Sequence, residues 1–195
     1  MKVYYNFTKK LMGGVWEIKS DMPYDDIDDL QLSSSQLKLL DLPFRICHGK
    51  KQRDIIYYYG AISIEFLSQN IYSFLSRYTN VQPYLYPIKI NEVDTIYYFI
   101  HDLPQLKYIN RDMVFPKDNY LREVPCFFLQ DDIPPLFSLE ETRHKIVTPE
   151  MKKEMITAKL TNIAFYPVYG VSSIDEYLEL QKNGDLLSDE YKLKI

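Results

Sequence analysis

The chain has 195 residues, 46% of them hydrophobic, which suits one domain or two small subdomains burying roughly 70% of the unfolded surface. Its 23 Lys and Arg stand against 27 Asp and Glu, a net charge of −4, which argues against the basic stripe that phosphate backbones require and so against a nucleic-acid partner. Cys47 and Cys126 lie far apart and outside any Cys-x-x-Cys pair, so neither a disulfide scaffold nor a structural zinc site is expected, and a reducing compartment, the cytoplasm, is.

From the N-terminus, "KVYYN" and "GVWEIK" are short runs of aromatic and β-branched residues and read as strands, with Gly13–Gly14 as a turn. The first twenty residues hold no signal-peptide core, and no run of about 18 apolar residues follows anywhere, so no membrane partner is expected. "DMPYDDIDDL" then gathers Asp21, Asp25, Asp26, Asp28 and Asp29. Such a block is ordinarily a solvated loop; as a functional feature it would steer a basic partner. "SSSQLKLLDLP" carries a weak helical pattern halted at Pro43. Cys47 beside His48 suggests a thiol and its base, but neighbours on a strand point to opposite faces, which makes an incidental cysteine the better expectation.

"RDIIYYY" reads as a strand, and Ser68 opens a helix whose stripe is Ile71, Phe74, Leu75 and Tyr78. "YLYPIKI" and "TIYYFIH", separated by "NEVD", predict an antiparallel hairpin. "CFFL" is another strand, and Asp131–Asp132 a second, smaller acidic site; both "QDD" and "YINRD" are explained as exposed turns. Thr148 and Pro149 open a second helix with a stripe of Met151, Met155 and Ile156, ending near Asn162 before the strand "NIAFYPV". Ser173 and Glu176 have capping-box spacing for a third helix with Ile174, Tyr177 and Leu178 on its apolar face and Gly184 as its stop.

One unit is written twice. A hydroxyl cap, a helix and a strand ending in Tyr-Pro-Ile or Tyr-Pro-Val run from Ser68 to Ile88 and from Thr148 to Val168, in the same register from cap to proline. The pattern predicts an α+β fold on an antiparallel or mixed sheet, with three or four short helices and an internal cap-helix-strand repeat. Tyrosine, at 18 residues, serves strands and also interface anchors, although base composition alone would enrich it.

"IIYYYGAISIEFLSQNIYSFL", "VQPYLYPIKI", "TIYYFIH" and "PPLFSLEETRHKIVTPEMKKEMITAKLTNIAFYPV" together resemble the bacterial immunity proteins that accompany polymorphic toxins. The nearest group is immunity protein family eleven, formerly a domain of unknown function, and the similarity covers roughly residues 54–168. Phe165-Tyr166-Pro167-Val168 fills the family's Phe-x-Pro-Val strand, while Asn162 stands where a glycine is expected; asparagine tolerates the left-handed turn. The resemblance implies a non-enzymatic binding protein that neutralises a cognate toxin by stoichiometric occlusion. It divides the chain into an N-terminal strand and acidic-loop segment (1–52), an immunity-like core (53–170) and a C-terminal helix and tail (171–195), together one compact domain.

Other chemistry finds little in the sequence. His48, His101 and His144 are the only histidines and none has metal-site spacing; there is no Gly-x-Ser-x-Gly elbow and no phosphate-cradling loop, so neither a catalytic residue nor a cofactor is expected. The candidate partner-binding residues are Asp25, Asp26, Asp28, Asp29, Asp131 and Asp132. The alternatives are a small enzyme with a dispersed carboxylate and histidine site, or an interaction module unrelated to toxins.

Overall fold

Aromatic and β-branched runs make strands, and cap residues start the helices between them. The computed structural model describes residues 1–10, 12–21, 40–110, 123–140 and 142–186, with 61–63 by backbone alone. The strands are β1 (Lys2–Lys9), β2 (Glu17–Lys19), β3 (Arg45–His48), β4 (Ile55–Tyr58), β5 (Ala61–Ser68), β6 (Leu85–Lys89), β7 (Ile96–Ile100), β8 (Gln105–Leu106), β9 (Cys126–Phe128), β10 (Leu136–Leu139), β11 (Ile146–Val147) and β12 (Ile163–Val171). The helices are α1 (Gln69–Leu75), α2 (Pro149–Thr157) and α3 (Ile174–Lys182). The fold is α+β with mixed sheets, as the sequence predicts. The expected helix at "SSSQLKLLDLP" lies mostly outside the described residues.

Two compact units are present: unit 1 is Met1–Asn6, Pro104–Glu150 and Phe165–Ile195, and unit 2 is Phe7–Leu103 and Met151–Ala164. The sequence-derived boundary at 52 falls inside a continuous stretch of unit 2, and that at 170 inside unit 1.

In unit 2 the strand order is β3-β2-β4-β5-β7-β6. Phe44, just ahead of β3, bridges Ile90 just past β6 in parallel, donating its amide to Lys89 O and accepting from the Asn91 amide, so the sheet closes into a ring. The interior holds Ile18, Phe44, Ile56, Tyr58, Phe66, Ile88, Tyr97 and Phe99. Phe44 meets Tyr58 and Phe66 edge to face, a geometry worth roughly 1 kcal/mol per pair beyond area burial. Helix α1 packs Ile71, Phe74 and Leu75 against β5 and β7. The β6–β7 hairpin is antiparallel as expected, with Pro87 on β6, the last strand in the order, where a missing amide costs least.

In unit 1 the order is β8-β10-β11-β1-β12-β9, and an antiparallel bridge from Tyr108 to Phe127 joins the continuation of β8 to β9. Its interior holds Tyr4, Leu106, Tyr108, Phe127, Phe137, Leu139, Ile146 and Val168, with Tyr4, Phe127 and Phe137 in mutual edge contact.

The two rings share one topology and one register. The parallel pair β2–β4 sets Ile18 opposite Tyr58, and β8–β10 sets Leu106 opposite Leu139. The antiparallel pair β4–β5 sets Ile55 opposite Leu67, and β10–β11 sets Leu136 opposite Val147. Next, β5–β7 sets Leu67 opposite Tyr98, and β11–β1 sets Val147 opposite Tyr5. At the closure, Phe44 faces Ile90 in parallel and Phe127 faces Gly170 in parallel. The core follows: Ile18, Phe44, Ile56, Phe66, Ile88 and Tyr97 stand where Leu106, Phe127, Phe137, Ile146, Val168 and Tyr4 stand in the other ring. The repeated Tyr-Pro stretch is thus the visible part of a longer correspondence.

Several expectations about the helices need correction. Helix α1 ends at Leu75, leaving Tyr78 beyond it and only partly covered. On α2 Met151 and Met155 are buried but Ile156 is 58% exposed, and on α3 Tyr177 is buried while Ile174 and Leu178 are exposed. Helices this short rest on one narrow stripe, so the flanking apolar positions face solvent. Asn162 does adopt the left-handed conformation (φ 62°).

Candidate interaction surface

Among the described residues, the buried carboxylates of Asp54, Glu65 and Glu123 each accept from internal donors. In unit 2 Asp54 ends the chain's approach to β4, and its Oδ1 accepts from Ser68 Oγ at 2.6 Å and Asn70 Nδ2 at 3.0 Å. Its Oδ2 accepts the Thr161 amide at 2.6 Å and the Thr161 hydroxyl at 2.8 Å. One carboxylate therefore pins the N-terminus of α1 and the loop after α2. Burial alone would raise the Asp54 pKa; these hydrogen bonds outweigh it and hold the carboxyl below its usual value. On β5, buried Glu65 accepts the Thr8 hydroxyl and the Lys9 amide, and pairs with the Lys9 ammonium at 3.5 Å, which also lies 5.0 Å from the centre of the Tyr57 ring.

In unit 1 Glu123 accepts from Asn110 Nδ2 at 3.3 Å, Tyr177 OH at 3.2 Å and Gln181 Nε2 at 3.1 Å. Tyr177 and Gln181 are one turn apart on α3, so this carboxylate fixes that helix to the strand entry below it. Burial, then the Glu123 charge, pushes both the Tyr177 hydroxyl and the Cys126 thiol up to about 12, which leaves Cys126 protonated and inert. His144 Nδ1 lies 3.1 Å from Tyr108 OH. Burial and Lys145 hold its pKa down to about 4, so the ring that shares this hydrogen bond is neutral.

Cys47 and His48 do diverge. The Cys47 thiol donates to Glu17 O at 3.1 Å, and burial raises its pKa, with Lys19 opposing; the His48 ring lies against Tyr59 with centroids 4.8 Å apart. Among the described residues no three His, Cys, Asp or Glu side chains gather as metal ligands would, and no helix is long and apolar enough to cross a membrane.

The surface carries the other features. Asp25, Asp26, Asp28 and Asp29 lie outside the described residues. Asp21, the first of that block, meets Arg45 Nη2 at 3.1 Å in an exposed pair. Asp131 and Asp132 are exposed in the turn after β9, three and four residues beyond Phe128, itself 43% exposed. The equivalent turn of unit 2, after β3, holds exposed Lys50 and Lys51, and His48 at the end of β3 lies against exposed Tyr59, with the Lys19 ammonium 6.0 Å from the Tyr59 ring centre. Sequence reasoning passed over this basic turn, although "RICHGKKQR" is free of acidic residues and visible as such. It also missed the stacked pair Tyr72 and Tyr98 (4.6 Å, 14°) on α1 and β7, which no local sequence pattern links.

No protein-family model, curated protein or solved structure matches this chain.

Proposed function

We propose that this protein binds and neutralises a toxic protein made by the same bacterium, in the cytoplasm and by stoichiometric occlusion, as the resemblance to immunity proteins implies. The observation that supports the reading is the division of labour among polar groups. Buried Asp54, Glu65 and Glu123 are engaged by internal donors. Exposed turns carry charge next to aromatic side chains, the combination that gives steering together with anchoring. The acidic residues Asp25, Asp26, Asp28, Asp29, Asp131 and Asp132 are the proposed contacts for a basic cleft, and no cofactor takes part.

Co-expression with the gene immediately upstream, as the proposed source of the toxin, tests the proposal. Restored growth and co-purification in a fixed ratio are expected; rescue without any complex, or no rescue, contradicts it.

A further inference from the structure

We infer that the chain is two copies of one module, residues 1–93 and 94–186, joined head to tail, and that each ring is a binding site for the leading strand of the other copy. Each module opens with a strand in which a β-branched residue precedes two tyrosines, Val3-Tyr4-Tyr5 in β1 and Ile96-Tyr97-Tyr98 in β7. Five further strands and a helix before the last of them follow in the same order, and the second module adds α3 at its end. The leading strands are exchanged: β7 lies between β5 and β6 of the first module, and β1 lies between β11 and β12 of the second. The slots are matched in register, Tyr98 facing Leu67 and Tyr5 facing Val147.

The tight β6–β7 connection could by itself account for where β7 sits. It cannot account for β1, which enters the equivalent slot with most of the chain intervening between it and both neighbours. The slot therefore selects its strand by side-chain fit and register, and the ligand it takes is an extended segment with two consecutive tyrosines, one turned into the ring. Reciprocal exchange of one identical element is how two separate copies would dimerise. Convergence would need to reproduce the cyclic strand order, the parallel pairs and the registers of the β4–β5 and β5–β7 ladders at once, whereas one duplication supplies them together. The copies have since diverged where packing does not constrain them: the turn after the third strand is acidic at Asp131–Asp132 in one and basic at Lys50–Lys51 in the other.

Circular permutation of the full chain tests this. With the ends joined by a flexible Gly/Ser linker, opening between Val93 and Asp94 yields a chain that starts with β7 as the native one starts with β1. Opening between Tyr59 and Gly60 cuts the β4–β5 turn inside a module and carries the same linker as a control. The boundary permutant is expected to melt in one transition within about 5 °C of the parent, and the interior permutant at least about 10 °C lower or not to fold. A boundary permutant destabilised as much as the control, or more, overturns the inference, as does failure of both to fold.

Discussion

A neutral imidazole shares a 3.1 Å hydrogen bond with the Tyr108 hydroxyl, and burial with the Lys145 charge holds the His144 pKa down to about 4. An unfolded chain returns that ring to about 6.5. Between those values the unfolded state binds a proton that the folded state refuses, so the contribution is complete above pH 6.5 and declines as pH falls towards 4. The shift corresponds to roughly 2–3 kcal/mol at most, because the ring keeps partial exposure. The melting temperature should therefore drop between pH 7.5 and 5, and His144→Gln should flatten most of that slope; an unchanged slope removes His144 as its source. Asp54 acts in a lower window. Its depressed carboxyl stabilises above the ordinary carboxylate pKa and loses that contribution as pH falls through the folded value, so the two residues separate on one pH series. Cys47→Ser and His48→Ala, made singly, should each leave protection within a few-fold of wild type, because the thiol is turned to Glu17 O and the ring to Tyr59. A normally folded variant that no longer protects, measured by growth of toxin-expressing cells, would argue for chemistry at this pair.

At the level of elements, α1 stands on a fully buried Ile71, and Ile71→Asp should cost several kcal/mol by burying an unpaired charge, read as a large fall in the thermal midpoint. The turn at Gly49 is as strict for a different reason. Its φ is 82°, a Cβ there would stand 2.0 Å from Val15 O, and the Lys50 and Lys51 amides both donate to Gly14 O at 2.9 and 2.8 Å. Gly49→Ala should therefore destabilise by a few kcal/mol, and a midpoint equal to wild type would mean that the turn can rearrange. What could be read from sequence at this scale follows from locality. Ser68 and Ser173 announce their helices because a cap acts on amides two or three residues away, and the left-handed turn at Asn162 is a single-residue property. Strands β8, β10 and β11 have two to four residues, too few to show a period, and went unread. Asp54 and Glu123 were invisible among 27 acidic residues because their partners, Thr161 and Tyr177, are remote in sequence.

For the whole molecule, the repeat was legible only where both copies kept the Tyr-Pro stretch. Ring order was not, since β1 reaches its place through pairings that no local pattern encodes. Charge is the property that bears on the proposed partner. Changing Asp25, Asp26, Asp28 and Asp29 to Asn takes the net charge from −4 to 0, and association with the toxin should slow at low salt, with the wild-type rate converging on the variant's as the screening length falls to about 8 Å near physiological ionic strength. Equal association rates at low salt would dismiss the acidic block and leave the tyrosine-bearing surfaces. The central proposal, neutralisation by one-to-one occlusion without turnover, is tested most directly by titrating the proposed cognate toxin, held well above the dissociation constant, with this protein and following residual toxin activity. Activity is predicted to fall linearly and reach zero at about one equivalent, with no further change on longer incubation. Progressive loss of toxin activity at a small fraction of an equivalent would contradict the claim and make the protein an enzyme.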